Sequence, residues 1–248
     1  MTAPVYFHEP LTPVQEGELF TFTGKEAHHA TVMRVQTGEE IHLVDGQGTR
    51  LRGEVVSTAD KSVTLRVRSV VCEPQPFPQV TLVQALAKGG RDEQAIESAT
   101  EVGVDAVIAW QSQRAIVKWE GKKQAKNLEK WENLLKAASK QARRSRIPTA
   151  DYVEGTKQLL AKLGQTKLLV LHESGEKTLD QIEPSWFATE RIALIVGPEG
   201  GITDAELVAF GEAGAQIVRI GNTVMRSSTA GTVALALVNY LSGRYNQN

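Results

Sequence analysis

The chain has 248 residues, 41% hydrophobic and 23% charged, enough for one large or two modest domains each with a real core. Its formal charge of -1 excludes polycation-style nucleic-acid binding but leaves room for a local basic face. The single cysteine, Cys72, excludes an intrachain disulfide and a cysteine-based zinc site; it reads as a small buried hydrophobe in a reducing compartment.

The opening MTAPVYFHEP lacks a basic region followed by an apolar core, so no secretory signal is expected. No stretch approaches the ~18 apolar residues of a membrane span, so a cytoplasmic protein with no membrane contact is expected. Residues 1–72 read as β. Alternating segments recur at 19–22, 40–44, 53–56 and 62–67, separated by turn signals at Thr37-Gly38, Asp45-Gly46-Gln47-Gly48 and Thr58-Ala59-Asp60-Lys61. Five or six strands at this spacing predict a small barrel or sandwich. A helical interruption over 25–35 carries His28, His29 and Arg34. Residues 73–79 contain Pro74, Pro76 and Pro78, which predicts a stiff linker and a domain boundary.

From Val80 to the end the period changes. Strand candidates at 80–86, 106–109, 168–171, 192–196 and 216–219 alternate with helices, which predicts an α/β domain with a mostly parallel sheet covered on both faces. A helix over 122–144 carries the one-sided stripe Leu128, Trp131, Leu135 and Ala138. The last helix, 229–241, is apolar nearly all round and must be buried in a core or against another subunit.

The most informative stretch is 192–202, IALIVGPEGGI. A buried strand breaks into Gly197-Pro198-Glu199-Gly200-Gly201, and Thr203 then opens a helix with Glu206 at capping-box spacing. Bare backbone N–H groups beside a helix N-terminus, outside the carboxyl ends of strands, make either an ordinary tight turn or a ligand site. Two further irregular loops follow strands, Leu171-His172-Glu173-Ser174-Gly175 and 220–229, IGNTVMRSST. If the three strand ends are adjacent, the loops form one cleft rich in backbone donors and acceptors. Arg226 is then either a surface charge flanking a helix or a cation held in that cleft.

Other chemistries find no support. No phosphate-binding P-loop, no GxGxxG after a strand and no GxSxG elbow is present. His28 and His29 are adjacent, point apart and lack a third ligand, so no metal is expected. Basic residues gather at Arg143, Arg144 and Arg146, and at Arg50, Arg52, Arg66 and Arg68, whose alternation gives shared strand faces that suit a polyanion or plain solvent.

At these residues the chain resembles the 16S ribosomal RNA uridine-N3 methyltransferases (RsmE type) of the SPOUT class. The resemblance rests on Gly197-Pro198-Glu199-Gly200-Gly201, on Ile220-Gly221 with Met225-Arg226 and Thr229-Ala230, and on Lys88-Gly89-Gly90-Arg91 followed by Glu101-Val102-Gly103-Val104. Ser112-Gln113-Arg114, Gln141 with Arg144 and Pro148, and His28-His29 with Val32-Met33-Arg34 extend it over nearly the whole chain. It implies a PUA-like, RNA-binding β-barrel over 1–72 and a SPOUT domain over 80–248 with a deep trefoil knot, paired as a homodimer through the knotted region.

The resemblance also implies S-adenosylmethionine as cofactor, lying among Leu171, His172, Val196, Gly197, Pro198, Glu199, Gly200, Gly201, Ile220, Gly221, Val224 and Met225. Arg226 would be catalytic, and His29, Arg34, Arg114 and Arg144 would touch the RNA of the small ribosomal subunit. Two departures stand out: Ser228 replaces a common glutamate, and Pro4-Val5-Tyr6-Phe7 offers no N-terminal arginine. The rival readings are a ribose 2′-O-methyltransferase of the same class and a non-catalytic RNA-binding assembly factor.

Overall fold

The computed structural model describes residues 3–11 and 13–247, which fall into two units. One is built from the chain up to Gln75 together with Ser139–Ile147; the other from Pro76–Ala138 and the chain from Pro148 onward.

The first unit holds strands β1 (Val5–Phe7), β2 (Leu19–Thr23), β3 (Glu40–Val44), β4 (Thr49–Ala59) and β5 (Ser62–Cys72) in the order β1-β3-β4-β5-β2. Only β1–β3 is parallel. Register shifts at Arg52/Gly53 and Val55/Ser57 bend the long β4–β5 hairpin and curl the sheet into a half-barrel. Alternate residues Leu51, Val55, Val63, Leu65 and Val67 point inward and pack with Tyr6, Phe22 and Ile41. Helix α1 (Lys25–Val32) adds Ala27 and Ala30 to this core. It stops short of the predicted residue 35 because Arg34 turns left-handed, φ 59°. Cys72 ends β5 exposed, which corrects its reading as a buried hydrophobe: it lies where the strand runs out past the core.

The second unit is a seven-stranded, wholly parallel sheet. Its strands are β6 (Gln79–Ala85), β7 (Ala106–Trp110), β8 (Thr149–Val153), β9 (Lys167–Leu171), β10 (Lys177–Thr178), β11 (Arg191–Val196) and β12 (Gln216–Arg219), ordered β10-β12-β9-β11-β6-β7-β8. Helices α2 (Arg91–Val102), α3 (Lys122–Gln141), α4 (Thr156–Leu163), α5 (Asp204–Glu212) and α6 (Ser227–Leu241) alternate with them. Strands buried on both faces explain the unbroken apolar runs at β9 and β11. On one face α4 and α5 cover Val83, Ile108, Val170 and Ile195. There the fully buried Phe210 meets Trp110 edge-on at 5.6 Å, a burial that contributes about 2–3 kcal/mol. Against the sheet's other residues α6 comes so close that a Cβ on Gly231 would sit 2.8 Å from the Leu82 side chain.

Four elements of this unit depart from the sequence reading. β8 and β10 were not expected: β8 is a mostly half-buried edge strand, TADYV, without an apolar run, and β10 spans only Lys177–Thr178. α3 ends at Gln141 rather than 144, because Arg143 adopts φ 55° and closes the helix. α6 begins at Ser227, with Arg226 extended at its N-cap.

Candidate functional site

Because β12, β9 and β11 are neighbours, the loops leaving their carboxyl ends are neighbours too. They enclose a cavity of about 810 Å³ within the second unit, a size typical of small-molecule sites. From β9 come Leu171, His172 and Glu173; the His172 amide donates to Val218 O at 2.9 Å, and its Nδ1 lies 2.7 Å from Ser174 Oγ. From β12 come Ile220, Gly221, Val224 and Met225, leading into Arg226. Val224 is 80% exposed at the mouth. All twelve residues expected to hold a cofactor, and Arg226, line this one cavity.

The β11 loop is the most tightly built. A Cβ on Gly197 would meet Ile202 Cγ1 at 2.7 Å, so no larger residue fits there without moving its neighbour. Gly201 sits at φ +76° and donates its N–H to Pro198 O at 2.9 Å, closing a turn. Two arginines from other strand ends grip this turn. Arg91, at the start of α2, donates Nη1 to Glu199 Oε1 at 2.9 Å; Arg114, after β7, donates Nη1 to Gly200 O at 3.2 Å.

Behind the loop stands Glu206, 1% exposed. The expected capping box is present: Thr203 Oγ1 accepts from the Glu206 N–H, and Glu206 Oε2 accepts from the Thr203 N–H at 3.0 Å. Its other oxygen accepts from the Gln113 N–H at 2.9 Å and the Thr156 hydroxyl at 3.1 Å. One buried carboxylate therefore pins the loops after β7, β8 and β11 together. The capping spacing explains half of this; nothing local in the sequence signals the rest. Arg91 is likewise known to the sequence only as part of a motif, whereas its partner 108 residues away is set by the fold.

The four residues expected to touch RNA divide. Arg114 lines the cavity; His29, Arg34 and Arg144 lie in the first unit. His29 is exposed, its Nδ1 3.4 Å from Lys140 Nζ, and Arg34 is exposed. The basic strand faces carry fewer open charges than their alternation implies. Arg50 donates to Glu73 Oε1 at 2.5 Å and to Arg143 O at 2.9 Å, Arg66 to Gly17 O, and Arg68 to Glu54. Arg146 is spent on the carbonyls of Gln47 and Glu73. Burial would raise the Glu73 carboxyl pKa, but hydrogen bonds from Arg50 and Ser145 and the charges of Arg50 and Arg52 outweigh it and hold the group below its usual value.

A smaller cavity of about 180 Å³ lies by Asp92, Glu93, Lys130 and Trp119. Burial raises the Asp92 carboxyl pKa there. Among the described residues no group of three or more His, Cys, Asp or Glu is placed to hold a metal, and no helix is long and apolar enough to cross a membrane. Ser228 is buried in the first turn of α6.

Comparison with known proteins decides the family. Residues 73–239 match the RNA methyltransferase domain and residues 22–68 the RNA methyltransferase PUA domain. The ribosomal RNA small subunit methyltransferase E of Mycobacterium bovis is 38% identical, over 99% of this chain and 95% of its own length. This chain belongs to the ribosomal RNA small subunit methyltransferase E family. The Bacillus subtilis family member is 30% identical over 92% of each chain. A crystal structure of the Neisseria gonorrhoeae member, bound to S-adenosyl methionine, superposes on this methyltransferase with a TM-score of 0.82 at 26% identity, covering 97% of this chain and 98% of that one.

Proposed function

We propose that this protein methylates N3 of a uridine in 16S rRNA, using S-adenosylmethionine held in the three-loop cleft. The observation that carries this reading is the convergence of the β9, β11 and β12 loops on one cavity of about 810 Å³. The residues fit the cofactor: crowding against Ile202 keeps residue 197 a glycine and its main chain bare in the cavity lining, and Ser227, also in the lining, has a buried Oγ with no hydrogen-bond partner among the described residues. The S-adenosyl methionine bound by the Neisseria family member supports the same choice. Leu171, His172, Val196–Gly201, Ile220, Gly221, Val224 and Met225 would hold the cofactor, which when bound supplies an activated methyl group.

The protein's own task is placement and charge. Uracil N3 is a poor nucleophile until its proton leaves, and the anion then formed carries charge on O2 and O4. Arg226, exposed in the cleft and with no ion-pair partner among the described residues, stabilises that charge; one such donor is worth about 3–4 kcal/mol. The uridine must be unpaired or extruded, since N3 is buried in a Watson–Crick pair. Arg114 at the cleft, with His29, Arg34 and Arg144 in the first unit, contacts the RNA and makes binding salt-sensitive.

The reading extends to a PUA-like domain over 1–72, a linker over 73–79 and a SPOUT domain over 80–248, knotted, homodimeric and cytoplasmic. The test is to delete the gene and map reverse-transcription stops on 16S rRNA. One stop should vanish and return with the intact gene, because N3-methyluridine blocks pairing. An unchanged stop pattern would contradict the assignment, and loss of a 2′-O-methyl signal instead would favour ribose methylation.

A further inference from the structure

Three carboxylates line the cleft: Glu173, Glu199 and Asp204. A group that accepts a proton during a reaction must be held in place, with one oxygen left for the substrate. Glu173 is exposed, and among the described residues no hydrogen bond or ion pair fixes its carboxylate. Asp204, in the first turn of α5, is likewise exposed, and among the described residues no hydrogen bond or ion pair fixes its carboxylate.

Glu199 differs from both. Its side chain is 30% exposed, its Oε1 is gripped by Arg91 Nη1 at 2.9 Å, and among the described residues no protein donor occupies Oε2. The turn that carries it is itself fixed, by the Gly201 N–H on Pro198 O and by Arg114 on Gly200 O. The loop carrying Glu199 leaves β11 and the loop carrying Arg226 leaves β12, and β9 lies between those strands. A base entering the cleft over the end of β9 therefore has a fixed carboxylate on one side and a free guanidinium on the other.

We infer that Glu199 is the proton acceptor for N3 of the target uracil, with Arg91 as its positioning residue. The inference rests on the uridine-N3 reading. The N3 proton moves to Oε2 of Glu199, and the N3 electron pair forms the new N–C bond as the methyl group's bond to sulfur breaks. That bonding pair stays on sulfur as a neutral thioether, and Glu199 returns its proton to water. Arg91 holds Oε1 and so aims the free oxygen at N3.

The experiment compares the wild type with Glu199→Gln, which keeps the acceptor for Arg91 but cannot take the proton. Each is assayed on RNA carrying uridine at the target, and on the same RNA carrying 5-fluorouridine, whose N3–H is more acidic. Glu199→Gln should lower kcat on uridine RNA by about 100-fold or more, as removal of a general base does. S-adenosylmethionine affinity by calorimetry should stay within a few-fold, because residue 199 serves the cofactor through its main chain, which the substitution keeps. The variant's rate should climb about tenfold per pH unit through neutral and alkaline pH, where free hydroxide replaces the lost base. On 5-fluorouridine RNA the gap to wild type should narrow by about an order of magnitude, a rescue that a merely structural role cannot give. Wild-type kcat in the variant, an equal deficit on both RNAs, or lost cofactor binding would each overturn the assignment of Glu199. A wild-type product other than N3-methyluridine would instead overturn the uridine-N3 reading on which it rests.

Discussion

The two units differ in where they leave an arginine open. In the half-barrel unit, Arg50, Arg68 and Arg146 give their donors to Glu73, Glu54 and the protein's own carbonyls. In the α/β unit, Arg91 and Arg114 each hold one point of the β11 loop, while Arg226 stands in the cleft without an ion-pair partner among the described residues. The difference teaches that a cation with all its reach spent within the chain is a fastener, and one with donors left open is available to a substrate. A count of basic residues along the sequence cannot separate the two, because the partners lie far away in the chain.

The sharpest way to break this contrast is at its open end. Arg226→Ala should cut methyl transfer by about two orders of magnitude or more, with cofactor affinity within a few-fold and the denaturation midpoint unchanged. Unchanged turnover would remove Arg226 from the chemistry. Glu206→Ala tests the fastened end within the same unit. It strips the acceptor from the Gln113 and Thr203 amides and the Thr156 hydroxyl, so stability to urea should fall by about 2 kcal/mol. No loss of stability would mean that those donors are satisfied without it.

In the half-barrel unit the effects should be smaller. Arg50→Ala unpairs Glu73, whose side chain is 36% exposed; discounted for solvent screening, the cost is about 1 kcal/mol in urea unfolding. Cofactor affinity should not move. The smallest effect concerns acid. Glu73 is depressed in the folded state, so its stabilisation is present above the usual value of 4.5 and is lost as pH falls through the folded one. Glu73→Gln should therefore flatten the stability profile below about that pH, and an unaltered acid limb would contradict the assignment.

How much could be read from residues alone follows the same division between local and distant causes. The β11 strand, its glycine turn and the Thr203–Glu206 capping box were legible because each is set by residues within a few positions. The convergence of three loops was posed by the sequence as a condition, and only the strand order β12-β9-β11 meets it. The ends of α1 and α3 were missed because Arg34 and Arg143 take left-handed backbones that arginine rarely adopts. Edge strand β8 was missed because half-buried TADYV carries no apolar run. Cys72 was misjudged because burial at a strand end depends on where the core stops. The second role of Glu206 and the grip of Arg91 on Glu199 depend wholly on which loops the sheet brings together.

The central claim is that the β9, β11 and β12 loops together bind S-adenosylmethionine. Crystals grown with the cofactor test it most directly. The account predicts density for the nucleoside and methionine moieties between Leu171–Glu173, Gly197–Gly201 and Ile220–Arg226, in contact with main-chain atoms of all three. Density elsewhere on the protein, or contact with only one of these segments, would contradict it.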